Sequence, residues 1–568
     1  MKPLTTVKLS GLFLILGLSA CTGNKPAAFR TFCNPLDLSY RFCIDEPSRR
    51  EAADPTVVVY KDSYLLFASK SGGYWYSNDL ADWTFVPSND IPTEDYAPTV
   101  VNINDTLYFV ASSHEINPVF CSSDPLSGKW EKVADSLDVP VWDPALFLDD
   151  DGRVYLYWGC SNQLPLYGVE VDYRNKFTFT GDPVELKHAD PAALGWEVPG
   201  DYNTLVNQAP WIEGSWMNKF NGTYYLQYAG PGTEFKSYSD AVYTSDHPLG
   251  PYSLQAFNPF AYKPGGYSTG AGHGSTFTDR YGNNWHMGTS TISVKHIFER
   301  RLGLFPTFID EDGTLYSVTK YGDYPMIIPD RKISGFEEIF PGWMLLSYRK
   351  EVEVSSFIDS LPSSNTTDED LRTYWSAKTG NEGEYARIDL GNECHVFAVQ
   401  LNFAEHETHL FGRQTGLRHR FMLECSANGK DWEILEDYSN NETDNTHLYF
   451  QLKEPVYCRY LKVTNIEVPD GTFAMSGFRV FGNGPGDPPA VVEHLISSRD
   501  TLDRRRVHLN WNASPEADGY VISFGNDSEH LYHSYMVYSD TNLTMNSLNV
   551  NQEYVFEIEA FNGNGIGK

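Results

Sequence analysis

Three carboxylates stand at similar points of a repeated text. Asp54 opens Asp-Pro-Thr-Val-Val-Val-Tyr, Asp143 opens Asp-Pro-Ala-Leu-Phe-Leu, and Glu213 stands in Ile-Glu-Gly-Ser-Trp-Met. Each is followed by a short strand-like run, a turn and an aromatic-rich second strand. A chain that repeats one unit and keeps a carboxylate at the same place in several copies gathers those carboxylates at one point. Gathered carboxylates suit glycoside chemistry. Inverting hydrolysis needs a carboxylic acid on the leaving oxygen and a carboxylate to activate water, roughly 6.5–9.5 Å apart so that the water fits. The acid must stay protonated near neutral pH, and a third carboxylate raises its pKa by like-charge repulsion. The longer Glu213 arm suits the proton donor. Taken singly, Asp-Pro is a turn or strand-entry signal. That reading explains neither the recurrence at matching positions nor a Glu before Gly-Ser.

The elements that must hold these groups recur from residue 54 to about 320. The unit is a strand entered at a special residue, a polar turn, an aromatic strand, and often a Ser-Asp turn. Further copies start at Ala97-Pro98-Thr99 and at His273-Gly274-Ser275, with turns at Asp149-Asp150-Asp151-Gly152, Asn221-Gly222 and Tyr281-Gly282. Five copies of a short β unit predict an all-β, five-bladed β-propeller. The first strand of each blade lines the axis, so Asp54, Ala97, Asp143, Glu213 and His273 are expected as one ring. Loops at Lys70–Gly73, His114–Asn117, Cys160–Gln163 and Ala229–Thr233 are expected at the same rim. Ala189-Asp190-Pro191 repeats the Ala-Asp-Pro of residues 53–55, but Ala-Ala-Leu-Gly-Trp after it lacks a β-branched run. Asp190 is therefore a loop residue, in a loop placed to cover the funnel.

Beyond Pro329 the repeat ends. Residues 345–483 alternate strands with polar turns, as in a β-sandwich. Gly482-Asn-Gly-Pro-Gly-Asp-Pro-Pro489 is a linker by composition. Strands around Trp511, Tyr520 and Phe556 predict a small Ig-like sandwich over 490–568, with Trp511 in its core.

The order Ala-Asp-Pro-Thr, Trp-Asp-Pro-Ala, Ile-Glu-Gly-Ser and Gly-His-Gly-Ser resembles glycoside hydrolase family 43, the inverting five-bladed propeller enzymes. The similarity covers roughly residues 33–325 of an expected catalytic domain at 33–328. It implies Asp54 as general base, Asp143 as pKa modulator and orienter, and Glu213 as general acid. His273 matches the axial histidine that in many members binds a central calcium ion or water; a hydrogen-bonded core histidine is the other reading. Arg301 falls where members have an arginine contacting the terminal sugar or the modulator, and adjacent Arg300 leaves that register open. Trp75 and Trp142 are candidates for stacking walls or for core. The chemistry implied needs no cofactor. The related fructan hydrolases carry Arg-Asp-Pro and Glu-Cys motifs, which are not at the corresponding places here. Region 345–483 is similar to discoidin-type (coagulation-factor type C) sandwiches, used both for carbohydrate binding and as structure. The last segment resembles a fibronectin type III domain that stops before a normal final strand.

These resemblances imply removal of terminal α-L-arabinofuranosyl or β-D-xylosyl residues from plant-type polysaccharides, with arabinan- and galactan-directed activities behind. The rival is a non-catalytic glycan-capturing lipoprotein, against which the presence of all three acids counts.

The bulk numbers agree. A chain of 568 residues forms two to four domains. A net charge of −32 argues against nucleic acid or an anionic membrane face as partner. The first 21 residues read as a secretory signal: Lys2 and Lys8, an apolar run Leu9–Leu18, then Leu18-Ser19-Ala20-Cys21. That end resembles a bacterial lipobox, with Cys21 the lipidated residue. The run is too short to span a bilayer, so the rest is expected to be soluble and held by a lipid anchor alone. This predicts an outer-membrane lipoprotein, periplasmic or surface-facing. Cys33 and Cys43 flank a short loop and are placed to pair in an oxidising compartment. The other five cysteines lack CxxC spacing and read as buried thiols, not a zinc site.

Overall fold

The computed structural model describes residues 29–567, so the expected signal segment and Cys21 lie outside the described residues. Among the described residues there is no α-helix, only strands and short 3₁₀ turns, and no helix long and apolar enough to cross a membrane. Five antiparallel sheets of four or five strands follow one another from Thr56 to Ser317. Their innermost strands are Thr56–Tyr60, Thr99–Ile103, Ala145–Leu148, Glu213–Phe220 and Thr269–Thr278. Each lies against the next, and the fifth lies against the first. The circuit is therefore a closed five-bladed propeller, as the repeat predicts.

Local chemistry explains the blades. Asn104-Asp105 and Asn221-Gly222 take positive φ at both residues, the two-residue turn whose twist matches that of a hairpin. They join Ile103 to Thr106 and Phe220 to Thr223, which pair directly. The ring closes where the segment before the first blade is stitched to the fifth. Thr31–Phe32 pairs with Met326–Ile327, and the Asn34 side-chain amide donates to the Leu304 carbonyl and accepts from the Leu304 N–H. Beneath this seam one apolar cluster joins Phe32, Leu36, Leu66, Trp75, Trp285 and Leu302.

The second domain is an eight-stranded sheet folded about one core, with two long strands at Tyr385–Phe403 and His447–Glu467. Its last strand, Ala474–Asn483, runs into the segment expected as linker. The third packs a three-stranded sheet (Ile496–Arg499, Val507–Asn510, Asn542–Met545) on a four-stranded one, around Leu509, Trp511, Tyr520 and Ile522. Its final strand does form, as the two residues Gly565–Ile566 on Phe561 and Asn562.

One local expectation is corrected, and one loop finds its partner in another domain. Cys33 and Cys43 are separate thiols, because each sulfur is turned to a different carbonyl, of Asp323 and of Asp45, both at 3.3 Å. Asp190 lies in a loop outside the strands, as expected. Leu194 bridges to Asn549, Val550 N–H donates to Ala193, and Arg505 donates to the Pro191 carbonyl, so the third domain holds it.

The seam gives a direct test. The Trp285 indole is fully buried and donates to Asp279 at 3.0 Å. Trp285→Ala should cost about 3–5 kcal/mol, read as a lower urea midpoint of the propeller transition. An unchanged midpoint would show that this cluster does not hold the ring closed.

Candidate active site

At the mouth of each innermost strand the backbone turns through the left-handed region. Asp54, Ala97, Asp143 and His273 have φ of 52°, 44°, 49° and 42°. Asp54, Ala97 and Asp143 stand two residues before the first paired residue of their hairpins, Thr56, Thr99 and Ala145, and His273 stands two before Ser275, where regular pairing resumes after a register shift. In the fourth blade the residue two before Trp216 is Gly214, with φ of 61°. Glu213 is therefore one residue earlier than its expected place in the ring. The glycine is required there, since a Cβ on Gly214 would come within 2.5 Å of the His273 ring. Setting the acid back by one residue leaves the axial place to His273.

Left-handed φ at non-glycine residues costs about 1–3 kcal/mol each unless the surroundings hold it. Side chains from the preceding blade do so. Asp54 N–H donates to Thr289 Oγ1 at 2.9 Å, Ala97 N–H to Ser69 Oγ at 2.7 Å, and Asp143 N–H to Ser112 Oγ at 2.9 Å. In the fifth blade Asp240 takes over, accepting from His273 N–H at 2.6 Å and Gly274 N–H at 2.9 Å. The two serines also reach the acids: Ser69 Oγ donates to Asp54 Oδ2 at 2.5 Å, and Ser112 Oγ to Asp143 Oδ1 at 3.2 Å.

The fold thus brings the three predicted acids together. His273 Nδ1 lies 3.3 Å from Asp54 Oδ1 and 3.6 Å from Asp143 Oδ2. A carboxylate oxygen of Asp143, one of Glu213 and the Cys160 sulfur all lie within 4.8 Å of one another. Asp143 is therefore the middle member. Glu213 Oε1 accepts from the Tyr238 hydroxyl at 2.5 Å, and Oε2 from the Cys160 thiol at 3.3 Å. All three acids and His273 are buried.

Burial pushes the Asp143 carboxyl up to about 7; Glu213 and Asp54 add repulsion, against the pull of His273 and the Ser112 bond. Burial also works against a charged His273, but Asp54, Asp143, Glu213 and Asp240 outweigh it, and its pKa is raised. Calcium takes six to eight oxygen ligands. The Nδ1 face of His273 instead meets two carboxylates already bonded to Ser69, Ser112 and Arg300. Asp54 and Asp143 are thus engaged on the Nδ1 side of His273, and a calcium ion beside this histidine would have to draw its oxygen ligands from elsewhere.

The arginine register is resolved in favour of Arg300. Its guanidinium donates to Asp54 Oδ1 at 3.0 Å, Thr233 Oγ1 at 3.1 Å and Glu51 Oε1 at 2.7 Å. Arg301, the residue expected to contact substrate, points to the opposite face of its strand and donates to His447 of the second domain at 2.9 Å. Trp75 is corrected as well: it is fully buried against Phe85 and is core. Trp142 is half-buried beside Asp143 and meets the exposed His114 ring at 3.9 Å, so it remains a wall of the rim. The expected rim loops supply Cys160 and Thr233.

Ser69, Ser112, Tyr238 and Asp240 escaped the sequence reading. The serines had a signal: Leu-Phe-Ala-Ser69 and Phe-Val-Ala-Ser112 end their second strands alike. Tyr238 and Asp240 lie in Ser-Tyr-Ser-Asp-Ala and had none.

Residues 47–323 match the model of glycosyl hydrolases family 43, and residues 351–476 match the F5/8 type C domain. A beta-D-galactofuranosidase of Aspergillus niger is 32% identical over 263 residues, covering 40% of this chain and 70% of that protein. The chain belongs to glycosyl hydrolase family 43. A beta-xylosidase of Xylanibacter ruminicola is 27% identical over 154 residues, 24% of this chain and 44% of the relative, so the match spans less than half of that protein. A solved structure described as a glycoside hydrolase has a TM-score of 0.46 at 17% identity, covering 76% of this chain and 97% of the other.

The raised Asp143 has a consequence for stability. Between its ordinary 3.8 and about 7 the folded protein keeps a proton that the unfolded chain has lost, so stability falls as pH rises through that window. Asp143→Asn replaces the titrating carboxyl with a group that is neutral throughout the window. Its melting temperature should gain on the wild type between about pH 4 and about pH 7; a constant difference across the window would show that Asp143 ionises normally in the fold.

Proposed function

We propose that the protein is an inverting glycoside hydrolase that removes terminal pentose, α-L-arabinofuranosyl or β-D-xylosyl, from plant-type polysaccharides. The observation that carries this reading is the buried constellation of Asp54, Asp143 and Glu213, with Asp143 in the middle and His273 bridging it to Asp54. Asp54 is the general base: Ser69 and Arg300 orient its two oxygens toward one water. Glu213 is the general acid, aimed by Tyr238 and Cys160. Asp143 sits within reach of both and modulates them. In one turn the base takes a proton from water as it attacks the anomeric carbon, and the acid gives its proton to the departing oxygen.

A second reading has an observation of its own, the relative described as a beta-D-galactofuranosidase. That sugar shares the ring configuration of α-L-arabinofuranose and differs in its exocyclic arm, so one subsite geometry can serve both. The F5/8 type C domain as a glycan-binding module, the C-terminal sandwich as fibronectin type III, and Cys21 as the lipid attachment of an outer-membrane protein complete the proposal. They rest on the sequence motifs.

A panel of aryl arabinofuranosides, xylosides and galactofuranosides, run beside arabinan, xylan and arabinogalactan, selects the sugar. On the best substrate, Glu213→Ala should lose about 100- to 10,000-fold on natural glycosides and far less on dinitrophenyl glycosides, whose leaving group needs no proton. Asp54→Ala should lose both. Equal losses of the two classes in Glu213→Ala would remove it as the acid. Proton NMR should show the first-formed sugar with inverted anomeric configuration; a retained anomer would refute the single-displacement mechanism.

A further inference from the structure

Two short pieces of backbone divide their side chains between the catalytic acids and the second domain. On the strand Arg300–Ile309, Arg300 faces Asp54 while Arg301 faces away. On the two-residue strand Arg50–Glu51, Glu51 pairs with Arg300 at 2.7 Å, while Arg50 faces away. The pieces are adjacent: Arg301 Nη1 donates to the Arg50 carbonyl at 2.8 Å and to the Arg300 carbonyl at 2.9 Å. Strand alternation thus makes each inward residue the immediate neighbour of an outward one.

The outward pair ends in residues of the second domain. Arg50 is fully buried and gives both terminal nitrogens to Asp444, at 2.7 and 2.8 Å, and its Nε to Glu405 at 2.6 Å. Arg301 Nε donates to His447 Nε2. An arginine only donates, so His447 Nε2 carries the lone pair and Nδ1 the proton, which goes to Asn402 Oδ1 at 2.8 Å. Burial and the two arginine cations hold His447 well below its ordinary pKa. The acceptor is neutral and stays neutral. Glu405 Oε2, 4.0 Å from Arg301 Nη2, and the Arg50 and Arg300 carbonyls stay with Arg301 when His447 is lost. Its buried Nε, however, is left without an acceptor, a penalty relieved by turning the side chain; the Arg300 carbonyl bonded to Nη1 turns with it.

We propose that the second domain is a structural part of the catalytic site, and that His447 is a positioning residue for the Asp54 base through Arg301 and Arg300. This assignment rests on Asp54 being the base. It goes beyond a glycan-capturing role for the domain, because it predicts a loss of turnover on a small soluble substrate that needs no capture.

The test is steady-state kinetics of the full-length protein on its best aryl glycoside. His447→Ala should lower kcat about tenfold or more with KM nearly unchanged, since small misplacements of reacting groups cost about this much. His447→Gln, whose amide oxygen accepts from Arg301 and whose NH₂ donates to Asn402, should restore most of the rate. Gln451→Ala is the control. It removes three other bonds across the same interface, to Thr31 and Phe29, and should keep wild-type kcat. A folded His447→Ala with wild-type kcat overturns the proposal. So does a parallel loss of rate and melting temperature in His447→Ala and Gln451→Ala, which would reduce His447 to interface stability. If His447→Ala does not fold, Asn402→Leu decides: it leaves the Nδ1 proton without its acceptor, and a wild-type kcat overturns the proposal. A wild-type protein inactive on every aryl glycoside refutes the functional reading instead, whatever the variants do.

Discussion

Three carboxyl groups packed into one buried pocket repel one another and resist leaving water, so the pocket stands only where cations and donors compensate them. Here His273 lies between Asp54 and Asp143, and Arg300 donates to the same Asp54 oxygen that faces His273. Even so, burial holds the Asp143 carboxyl up near 7. The same repulsion that burdens the fold is what an acid–base pair needs, because it separates the proton affinities of neighbouring carboxyls. The rest of the molecule can be understood as the means of keeping these groups in place.

The first means is the left-handed entry to each blade. Without its latches, a left-handed Ala97 or His273 would relax to ordinary extended backbone and swing the side chains off the axis. Each backbone latch comes from the preceding blade. The ring is cooperative for that reason: Ser69 belongs to one blade, holds the entry of the next through Ala97, and orients the acid of its own. The fourth blade breaks the pattern at Gly214 and moves its acid back by one residue, to where Tyr238 and Cys160 can hold it.

The second means lies outside the propeller. Arginine cannot be left buried without acceptors, and the face of the propeller behind Arg300 carries two. Asp444, Glu405 and His447 of the second domain supply what the blades do not. The third domain takes up the other loose element, the Asp190 loop.

Much of this was legible in the chain. The repeat of strand, turn and aromatic strand specified five blades, since period-2 alternation and Asn-Gly turns are local properties. The recurrence of Asp54, Asp143 and Glu213 specified a common site. Even Ser69 and Ser112 left a mark in their shared Ala-Ser endings. What only the tertiary structure decided were the matters that depend on which face a side chain takes and on what lies across from it. Arg300 and Arg301 are equal in sequence and opposite in space, because successive strand residues point to opposite faces and the register decides which points in. Trp75 and Trp142 are the same residue type, one core and one rim. Cys33 and Cys43 are close in sequence, but their sulfurs are turned to different carbonyls. Tyr238 reaches Glu213 through the pairing of its own blade, Asp240 reaches His273 only through the packing of one blade on the next, and His447 reaches Arg301 only through the docking of another domain. Composition and spacing record what a residue can do; the partner that makes it do so is set by contacts between segments hundreds of residues apart.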